Sequence, residues 1–220
     1  MRILVTAGPT REPIDPVRFI SNRSSGRMGY AVAEAALARG FEVILISGPV
    51  CLAPAAGAEV VPVGTAEEML FAVKSRLAGC DVLVMCAAVA DWRPAHYSPV
   101  KLKKDRTRSS LELERTPDIL AAVAEGKGKR IHVGFAAETG DPTSEALRKL
   151  REKVLDLIVA NDVSAPDAGF GVETNRAALI DRKGSVEQLP LMSKRELADI
   201  ILDRVVAIRR ATAQAGQAGG

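Results

Sequence analysis

A stretch of small residues with the spacing of an anion site stands before the first predicted helix. Residues 24–29 read Ser-Ser-Gly-Arg-Met-Gly. Small residues at a helix start let backbone N–H groups approach an anion, and the helix dipole favours negative charge there. The spacing equally suits a capped helix start whose glycine permits tight packing, so a phosphate site and plain packing both remain open. The dinucleotide fingerprint G-x-G-x-x-G is absent from the turn after the first predicted strand.

A second chemically interesting stretch, residues 86–94, follows a predicted buried strand. Its Asp91 has the chemistry to hold a cation or a ligand hydroxyl, and equally to cap a turn. Cys86 has no histidine near it in sequence, so we interpret it as a small buried residue and not as a nucleophile. Trp92, the only tryptophan of the chain, is compatible with core packing.

Lysines recur at the predicted rim of the fold. Residues 101–104 read Lys-Leu-Lys-Lys, a pattern of solvated surface and also of a lid that closes over phosphates. Lys149 and Lys153 share a helix face, although Glu145 offers Lys149 an ordinary surface ion pair. Residues 133–139 are small enough to permit close approach by a flat ligand. Together these features favour an anionic nucleotide with a divalent cation over a nicotinamide cofactor.

The elements that must position these residues alternate along the chain. Strands are predicted at 3–6, 43–46, 60–63, 82–85, 131–135 and 157–160, an edge strand at 111–113, and a hairpin at 177–181 and 186–189. Helices are predicted at 27–39, 65–77 and 143–155, after residue 116, and from 193 to about 210. This alternation indicates an α/β fold, a Rossmann-like, doubly wound, mostly parallel sheet with helices on both faces. Such sheets bind ligands where the strands' carboxyl ends meet the loops.

Local signals set the predicted boundaries of these elements. Thr65 with Glu68, and Ser193 with Glu196, have the spacing of capping boxes. Thr116 followed by Pro117 predicts a third helix start, with the threonine as its cap. The polar stretch at about 92–110 is typical of a mobile functional loop. We therefore predict one domain over residues 1–210 and a disordered tail, rich in alanine, glycine and glutamine, over 211–220.

Composition excludes several classes of protein. The 220 residues are 47% hydrophobic and 26% charged, which is ordinary for a globular domain. A net charge of +3 and 4% aromatic residues do not support binding to nucleic acid. Three cysteines without a C-x-x-C pair favour free thiols and a cytoplasmic location over a disulfide scaffold. No apolar run is long enough to predict a membrane span.

Several segments, taken together and in order, carry a resemblance to a known family. Residues 15–29, Asp-Pro-Val-Arg-Phe-Ile-Ser-Asn-Arg-Ser-Ser-Gly-Arg-Met-Gly, closely resemble the signature of phosphopantothenate–cysteine ligase, also called phosphopantothenoylcysteine synthetase. The resemblance continues through 87–94, 101–104, 116–120, 133–139, 160–164, 169–171 and Asn175. It covers nearly the whole chain except the tail. A series of segments in this order is far more specific than any one of them.

The resemblance implies a ligation in coenzyme A biosynthesis. The carboxylate of 4′-phosphopantothenate attacks the α-phosphorus of a nucleotide, which releases pyrophosphate, and the amine of L-cysteine then displaces the nucleotide monophosphate from the acyl-nucleotide. The motifs resemble those of the bacterial enzymes, which implies that the nucleotide is CTP. The intermediate would then be an acyl-cytidylate, and the nucleotide released in the second step would be CMP. Lysines and Mg²⁺ would neutralise the phosphate charge. No protein nucleophile is required.

The resemblance also assigns roles to individual residues. Asn22 matches an asparagine that contacts the activated acyl group, and Lys101 matches the lysine of the mobile loop near the triphosphate. Asp91 matches an aspartate on the nucleotide and cation side, where it would hold Mg²⁺ with the phosphates. The remaining matched nucleotide positions are Met85, Cys86 and Ala87, mainly through backbone, and Pro117, Asp118, Ile119, Leu120, Phe135, Lys149 and Lys153. Ser24 and Gly26 are added to this nucleotide site by the helix-start argument above.

The resemblance further implies partners. Arg18 and Phe19 lie in a segment that pairs with a second subunit in this family, so we expect a homodimer. We expect a small hairpin and edge-strand region to form the dimer contact. The active site would then be completed across the interface. In most bacteria this module is fused to a flavin-dependent decarboxylase. Whether this chain stands alone or is the excised half of such a fusion stays open, and we expect no flavin to bind to it.

Two other functions remain as alternatives. A non-catalytic nucleotide-binding or assembly module would share the fold and bind nucleotide without turnover. An NAD(P)-binding oxidoreductase would share the fold too, but the chain has neither the first-turn glycine fingerprint nor a Tyr-x-x-x-Lys pair.

Overall fold

The computed structural model describes residues 1–53, 55–103, 110–138, 143–162 and 171–218. In chain order its strands are β1 (Arg2–Ala7), β2 (Arg11–Pro13), β3 (Phe19–Ser21), β4 (Glu42–Ser47), β5 (Glu59–Pro62), β6 (Val82–Met85), β7 (Trp92–Pro94), β8 (Leu113–Arg115), β9 (Ile131–Glu138), β10 (Leu157–Asp162), β11 (Thr174–Asn175), β12 (Ala177–Asp181), β13 (Val186–Gln188) and β14 (Met192–Ser193). Its helices are α1 (Arg27–Ala38), α2 (Ala66–Leu77), α3 (Ile119–Ala124), α4 (Thr143–Glu152) and α5 (Lys194–Ala218).

The central sheet has eight strands in the order β13-β12-β10-β9-β6-β1-β4-β5. The strands from β5 to β10 in this order run parallel, and β12 and β13 are added antiparallel as the predicted hairpin. The chain therefore winds outward from β1 through β4 to β5 and returns on the other side of β1 with β6. This confirms the mostly parallel, doubly wound α/β fold. The loops diverge between β1 and β6, which opens a crevice at their carboxyl ends.

Helices cover both faces of this sheet, as predicted. Alternate side chains of β1 point to opposite faces, since Ile3 and Val5 belong to a core with α1 and α5, whereas Leu4 belongs to a core with α2 and α3. Helix α4 packs on the same face as α2, against Ile158 and other residues of β10. The parallel strands are buried on both faces, which explains why their sequences are continuous apolar runs rather than alternating patterns.

A glycine sets how closely α1 lies on the sheet. A Cβ atom at Gly29 would lie 2.6 Å from the Cβ of Ala7 and 2.9 Å from the carbonyl oxygen of Thr6. These distances are shorter than van der Waals contact, so only glycine lets the first turn of α1 approach the end of β1. The close approach brings the N-terminus of α1 to the crevice beside β1.

The third helix begins later than predicted. Asp118, and not Thr116, is the N-cap of α3, and its side chain accepts a hydrogen bond of 2.9 Å from the backbone N–H of Ala121. The Thr116 hydroxyl instead donates to the carbonyl oxygen of Ala90 at 2.5 Å. The Thr116 hydroxyl is therefore engaged with a residue distant in sequence and does not cap the helix. The predicted capping boxes at Thr65 and Ser193 are both present.

The last helix is longer than predicted. Helix α5 continues through Ala218, where the composition had suggested an end near Arg210 and a disordered tail over 211–220. Alanine and glutamine have high helix propensity, so these residues extend a helix that tertiary contacts have already formed. Residues 219–220 lie outside the described residues, as do 104–109 of the predicted loop and residues 139, 163–164 and 169–170 of the motifs.

Short strands occur where the sequence predicted only loop. Strands β2 and β3 form a hairpin in the excursion after β1. The start of the predicted mobile loop is strand β7, which pairs with β8, so the edge strand expected at 111–113 is shifted to Leu113–Arg115. Such strands lack a periodic pattern because each is only three residues long. No helix of the described residues is both long and apolar enough to span a membrane.

A buried ionic cluster lies at the amino ends of β9 and β10, away from the crevice. The Nζ of Lys127 is 2.6 Å from Asp156, whose other carboxylate oxygen is 3.2 Å from Arg182. The backbone N–H of His132 donates to Asp156 at 2.8 Å. The His132 side chain is fully buried, and neither ring nitrogen has a hydrogen-bond partner within the described part of the chain. Burial, reinforced by the charge of Lys127, lowers the pKa of His132 to about 4.

This histidine makes stability depend on pH. Its pKa in the folded chain lies below its ordinary value, so the unfolded chain binds the proton more readily and stability is lost as the pH falls from about 6.5 towards 4. Between pH 7 and pH 5 the loss is about 2 kcal/mol. We expect His132→Leu to remove this part of the pH dependence, as measured by urea unfolding at both pH values. Equal losses in the wild type and the variant would show that His132 does not titrate in this range.

Candidate functional site

A cavity of about 750 Å³ opens at the carboxyl ends of the parallel strands, at the crevice between β1 and β6. It brings together fourteen of the residues that the sequence predicted for the site. These are Asn22, Ser24, Gly26, Met85, Cys86, Ala87, Asp91, Pro117, Asp118, Ile119, Leu120, Phe135, Lys149 and Lys153. These residues come from segments that are far apart in the chain, and the fold brings them together around one cavity.

The N-terminus of α1 forms one wall of this cavity. Gly26 is the N-cap, with a left-handed φ of 80°, and no side chain caps the helix. A Cβ at this position would lie 2.8 Å from Val50 and 3.3 Å from the backbone of Gly8, so glycine is required both by conformation and by space. The Ser24 hydroxyl accepts a hydrogen bond from the Gly26 N–H at 3.2 Å. Backbone N–H groups at the start of α1 can therefore approach an anion.

The loop after β6 also lines the cavity, and buried threonines bind its backbone. The Thr6 hydroxyl accepts from the N–H of Ala87 at 3.1 Å, and the Thr10 hydroxyl accepts from the N–H of Ala90 at 3.0 Å. These bonds hold the polypeptide between Met85 and Asp91 in one conformation. The contact of a ligand with the backbone of this segment stays a prediction from the resemblance.

The Asn22 side chain is hydrogen-bonded to this loop. Its side-chain amide donates to the carbonyl oxygens of Ala88 and Val89 at 3.2 and 3.0 Å. The sequence resemblance predicted that this amide contacts an activated acyl group. In the structure its N–H groups instead join the segment after β3 to the loop after β6, so donation to a ligand would require one of these bonds to be exchanged.

Asp118 and Lys153 form an ion pair at the rim of the cavity. The Lys153 Nζ lies 2.5 Å from the Asp118 carboxylate, and Lys149 lies 3.8 Å from Glu145. Partial burial would raise the pKa of Asp118, but the bonds from Lys153 and from the Ala121 N–H outweigh it and leave the pKa below its ordinary value. Lys149 of α4 and Lys153, which directly follows α4, both line the cavity. Each of these positive charges lies beside a carboxylate.

Asp91 is an exposed carboxylate at the cavity edge. Within the described residues, no group of three or more His, Cys, Asp or Glu side chains could hold a metal ion by itself. Mg²⁺ is bound in many nucleotide enzymes by one or two carboxylates together with substrate phosphates. A single carboxylate at the edge of the cavity fits that mode, in which the nucleotide supplies most of the ligands.

Cys86 and Phe135 are half-buried in the cavity wall. Desolvation raises the pKa of the Cys86 thiol, which therefore stays protonated at neutral pH. Because the thiolate is the reactive form, Cys86 is poorly suited to be a nucleophile, in agreement with the sequence interpretation. Both side chains provide apolar surface for a flat ligand.

Lys101, Arg18 and Phe19 are not among the residues that line this cavity. Arg18 belongs to a second groove and donates to the buried Asp15 carboxylate at 2.5 Å, which holds the pKa of Asp15 well below its usual range. The backbone N–H of Leu102 also donates to Asp15, and the Leu102 carbonyl accepts from Arg18. The segment next to Lys101 is thereby attached to the second groove, and the contact of Lys101 with a triphosphate stays a prediction.

Several cavity residues were not assigned to the site from the sequence. They are Arg27, Arg115, Asn161 and Lys194, together with Asn175, which was noted only as part of the resemblance. Arg27 and Asn161 lie within segments that carried the resemblance, so that signal could have found them. Lys194 had no such signal, because nothing in the sequence places the start of α5 beside the start of α1.

Comparisons with known proteins agree with these motifs. The family model described as the DNA/pantothenate metabolism flavoprotein C-terminal domain matches residues 1–208. A curated relative, the coenzyme A biosynthesis bifunctional protein CoaBC of Bacillus subtilis, is 48% identical over 213 residues, which are 96% of this chain and 52% of the relative. The chain thus spans about half the length of the curated relatives it matches.

Solved structures share the fold. The C-terminal domain of a coenzyme A biosynthesis bifunctional protein CoaBC has a TM-score of 0.79 and 45% identity, with 93% of each chain covered. A Cab2 variant in complex with phosphopantothenate-cysteine has a TM-score of 0.78 and 19% identity, covering 98% of this chain and 88% of that one. The second likeness shows the fold alone. By the family model and the curated relative, this chain belongs to the family of the DNA/pantothenate metabolism flavoprotein C-terminal domain, which confirms the resemblance carried by its motifs.

Proposed function

We propose that this chain ligates 4′-phosphopantothenate to L-cysteine in coenzyme A biosynthesis, using CTP and releasing pyrophosphate and CMP. The observation that carries this proposal is the convergence of the resembling motifs on one cavity rich in positive charge. It is supported by the names of the CoaBC relatives and by the phosphopantothenate-cysteine bound to a protein of the same fold.

The proposed reaction has two steps. A carboxylate oxygen of 4′-phosphopantothenate attacks the α-phosphorus of CTP, an acyl-cytidylate forms, and pyrophosphate leaves with the electron pair of the broken P–O bond. The amine of cysteine then attacks the acyl carbon, the C–N bond forms, CMP leaves, and the amine proton passes to solvent. The first step brings a carboxylate to a polyphosphate, so positive charge around the cavity lowers the repulsion. Lys149, Lys153 and the start of α1 supply it.

Mg²⁺ fits the proposal as a companion of the nucleotide. Asp91 would hold it together with the phosphates, and the bound ion would neutralise phosphate charge. The chain's own residues do the rest of the positioning: the backbone of Met85, Cys86 and Ala87 and the apolar surface of Phe135 would orient the nucleotide. The neutral Cys86 thiol is consistent with a reaction that needs no protein nucleophile.

A homodimer is part of the same proposal. Val17, Phe19 and Tyr97 are exposed apolar residues around the second groove, and Arg18 is attached there to Asp15. Exposed apolar surface of this kind is typical of an interaction site. As the resemblance implies, pairing at this surface would complete the active site across the interface. A flavin-dependent decarboxylase, fused or separate, is a further proposed partner, in line with relatives that are named bifunctional and about twice as long.

The direct test measures pyrophosphate release with 4′-phosphopantothenate, L-cysteine and Mg²⁺, comparing CTP with ATP. We expect release that requires phosphopantothenate and is faster with CTP, with one amide product formed per pyrophosphate. Pyrophosphate release with ATP and not with CTP would support the ligase function and contradict the proposal that CTP is the nucleotide. Nucleotide binding without release would favour the non-catalytic module.

Asn22→Asp tests the role of the asparagine. The substitution places a carboxylate against the carbonyl oxygens of Ala88 and Val89 and beside an anionic intermediate, so we expect the amide-forming rate to fall by about 100-fold. Asn22→Ala is the matched control, since it removes the same hydrogen bonds without adding charge and should be less impaired. Normal amide formation by Asn22→Asp would exclude this residue from the site.

Lys101→Ala tests whether the loop lysine reaches the nucleotide during the reaction. We expect the rate at saturating CTP to fall by about 100-fold, because a lysine near the leaving phosphates stabilises the developing charge. Lys103→Ala, an exposed lysine of the same loop, should change the rate little. A rate for Lys101→Ala within about threefold of wild type would show that Lys101 stays outside the active site, as it lies in this structure.

A further inference from the structure

The turn that follows α4 has a backbone conformation that its sequence does not favour. Val154 has a φ of 52°, and within the described residues it is the only non-glycine residue with a positive φ. A β-branched side chain in this left-handed region is rare and strained. The N–H of Leu155 donates to the carbonyl oxygen of Leu150 at 2.9 Å. The N–H of Val154 donates to that of Arg151 at 3.2 Å. These two bonds form a Schellman motif, in which glycine usually occupies the position of Val154.

Lys127 donates a hydrogen bond that holds this turn in place. Its Nζ lies 2.9 Å from the carbonyl oxygen of Val154 and 2.6 Å from the carboxylate of Asp156. The side chains of Lys127 and Asp156 are only 7% and 6% exposed, so water competes little for these bonds. The Val154 side chain is largely exposed and adds little packing. A strained conformation persists only where its surroundings impose it, and the buried ammonium of Lys127 does so here.

The two residues beside Val154 both line the cavity. Lys153 directly precedes it, and the Lys153 Nζ lies 2.5 Å from the Asp118 carboxylate. Leu155 directly follows it and packs so closely on Gly134 that a Cβ there would lie 2.5 Å from the Leu155 side chain. The backbone dihedral angles of Val154 set the directions of these two neighbours relative to each other. A change of this turn would therefore move Lys153 while Leu155 stays fixed in the core.

Helix α4 gives the turn this importance for Lys153. The helix runs from the carboxyl end of β9 to the amino end of β10, which is away from the cavity opening. The N–H of Lys153 still bonds to the carbonyl oxygen of Lys149 at 2.9 Å, so the helical hydrogen bonds continue to this residue. Side chains on a helix lean towards its N-terminus, and Lys153 accordingly reaches back to Asp118 at the start of α3. Ending the helix at Lys153 keeps its side chain on this face.

We propose that Lys127 is a positioning residue for Lys153: it holds Val154 in the left-handed conformation that ends α4 and so keeps Lys153 against Asp118 at the cavity. Lys127 acts through the backbone, and it is not one of the described residues that line the cavity. The buried ion pair at the amino ends of the strands is thereby connected to the site at their carboxyl ends. This inference deepens the proposed function and rests on it where Lys153 is taken to contact the nucleotide.

The first test is Lys127→Met, which keeps the approximate length of the side chain and removes its charge. NMR titration of the Asp118 carboxyl carbon, assigned with Asp118→Asn, reports whether Lys153 is still beside it and needs no nucleotide. Burial raises the pKa of Asp118 and Lys153 lowers it, so we expect this pKa to rise in Lys127→Met as it does in Lys153→Met. Adding Lys127→Met to Lys153→Met should cause no further rise, because the two residues act on Asp118 in series.

The affinity for CTP, measured by calorimetry with Mg²⁺, should follow the same pattern. We expect Lys127→Met and Lys153→Met each to bind CTP about tenfold more weakly, because a hydrogen bond to a charged group is worth about that much in affinity. Arg182→Met is the matched control. It removes a second cation paired with Asp156, at 3.2 Å, and leaves the bond from Lys127 to Val154 in place. It should change neither the pKa of Asp118 nor the affinity for CTP.

A rescue experiment separates positioning from a general loss of stability. Glycine adopts the left-handed conformation without strain, so the turn should form without Lys127 in the double variant Lys127→Met/Val154→Gly. We expect this variant to recover the low pKa of Asp118 and to bind CTP within about threefold of wild type. Without such recovery, the effect of Lys127 would not pass through Val154 and the inference would be overturned.

A second variant covers the case in which Lys127→Met does not fold. Val154→Pro leaves the buried ion pair in place but fixes φ at about −65°, which excludes the turn, and proline is common just after a helix end. We expect the pKa of Asp118 to rise in this variant too. A folded Lys127→Met or Val154→Pro protein with an unchanged pKa of Asp118 would overturn the inference.

Failure of the proposed function would look different. If the wild-type protein forms no amide from any nucleotide while the pKa of Asp118 responds to Lys127→Met and to its rescue, the positioning role is retained and the ligase is rejected. If the wild-type protein forms the amide while the pKa of Asp118 is the same in Lys127→Met, the ligase is retained and the positioning role is rejected.

Discussion

The contact between α1 and β1 is the constraint on which the site depends. Gly29 lets the helix approach the strand at distances that no side chain would allow, and Gly26 supplies the left-handed turn that starts the helix there. The N-terminus of α1 is thereby placed at the crevice between β1 and β6. A bulkier residue at either position would move the helix away from the strand and with it one wall of the cavity. Because this wall consists of backbone, its position determines which anion can be bound.

The rest of the cavity is positioned by bonds between distant segments. Buried hydroxyls of Thr6 and Thr10 fix the loop after β6, and Thr116 attaches that loop to the segment before α3. Cations then enter from both faces of the sheet, with Lys153 held by Asp118 and Lys194 held by backbone carbonyls. These contacts position the loop after β6 and both lysines without a bound ligand. Positive charge placed in this way would favour the proposed ligation, because its first step joins two anionic substrates.

Polar groups are also buried where no chemistry is expected. One such cluster lies at the amino ends of the strands, at the end of the sheet opposite the cavity, and consists of Lys127, Asp156 and His132. Lys127 and Asp156 form an ion pair there, and the backbone N–H of His132 donates to Asp156. The same chain thus uses charge in two ways. At the amino ends the charges satisfy one another, whereas at the carboxyl ends an excess of cations faces an open cavity. The difference follows from the direction of the strands, because the N-termini of the helices that follow parallel strands lie at the carboxyl ends of the sheet.

Local patterns in the sequence determined the alternation of strands and helices and both capping boxes. Each of these depends on neighbours in the chain, so it can be predicted without the fold. Most of the motif residues that line the cavity were instead identified through the resemblance to a known family. The tertiary structure alone decided that Asp118 and not Thr116 caps α3 and that the short strands β2, β3, β7 and β8 form. It also placed Lys101 outside the cavity and Lys194 inside it. These outcomes depend on contacts between segments that are distant in sequence. Local sequence patterns do not give the energies of such contacts.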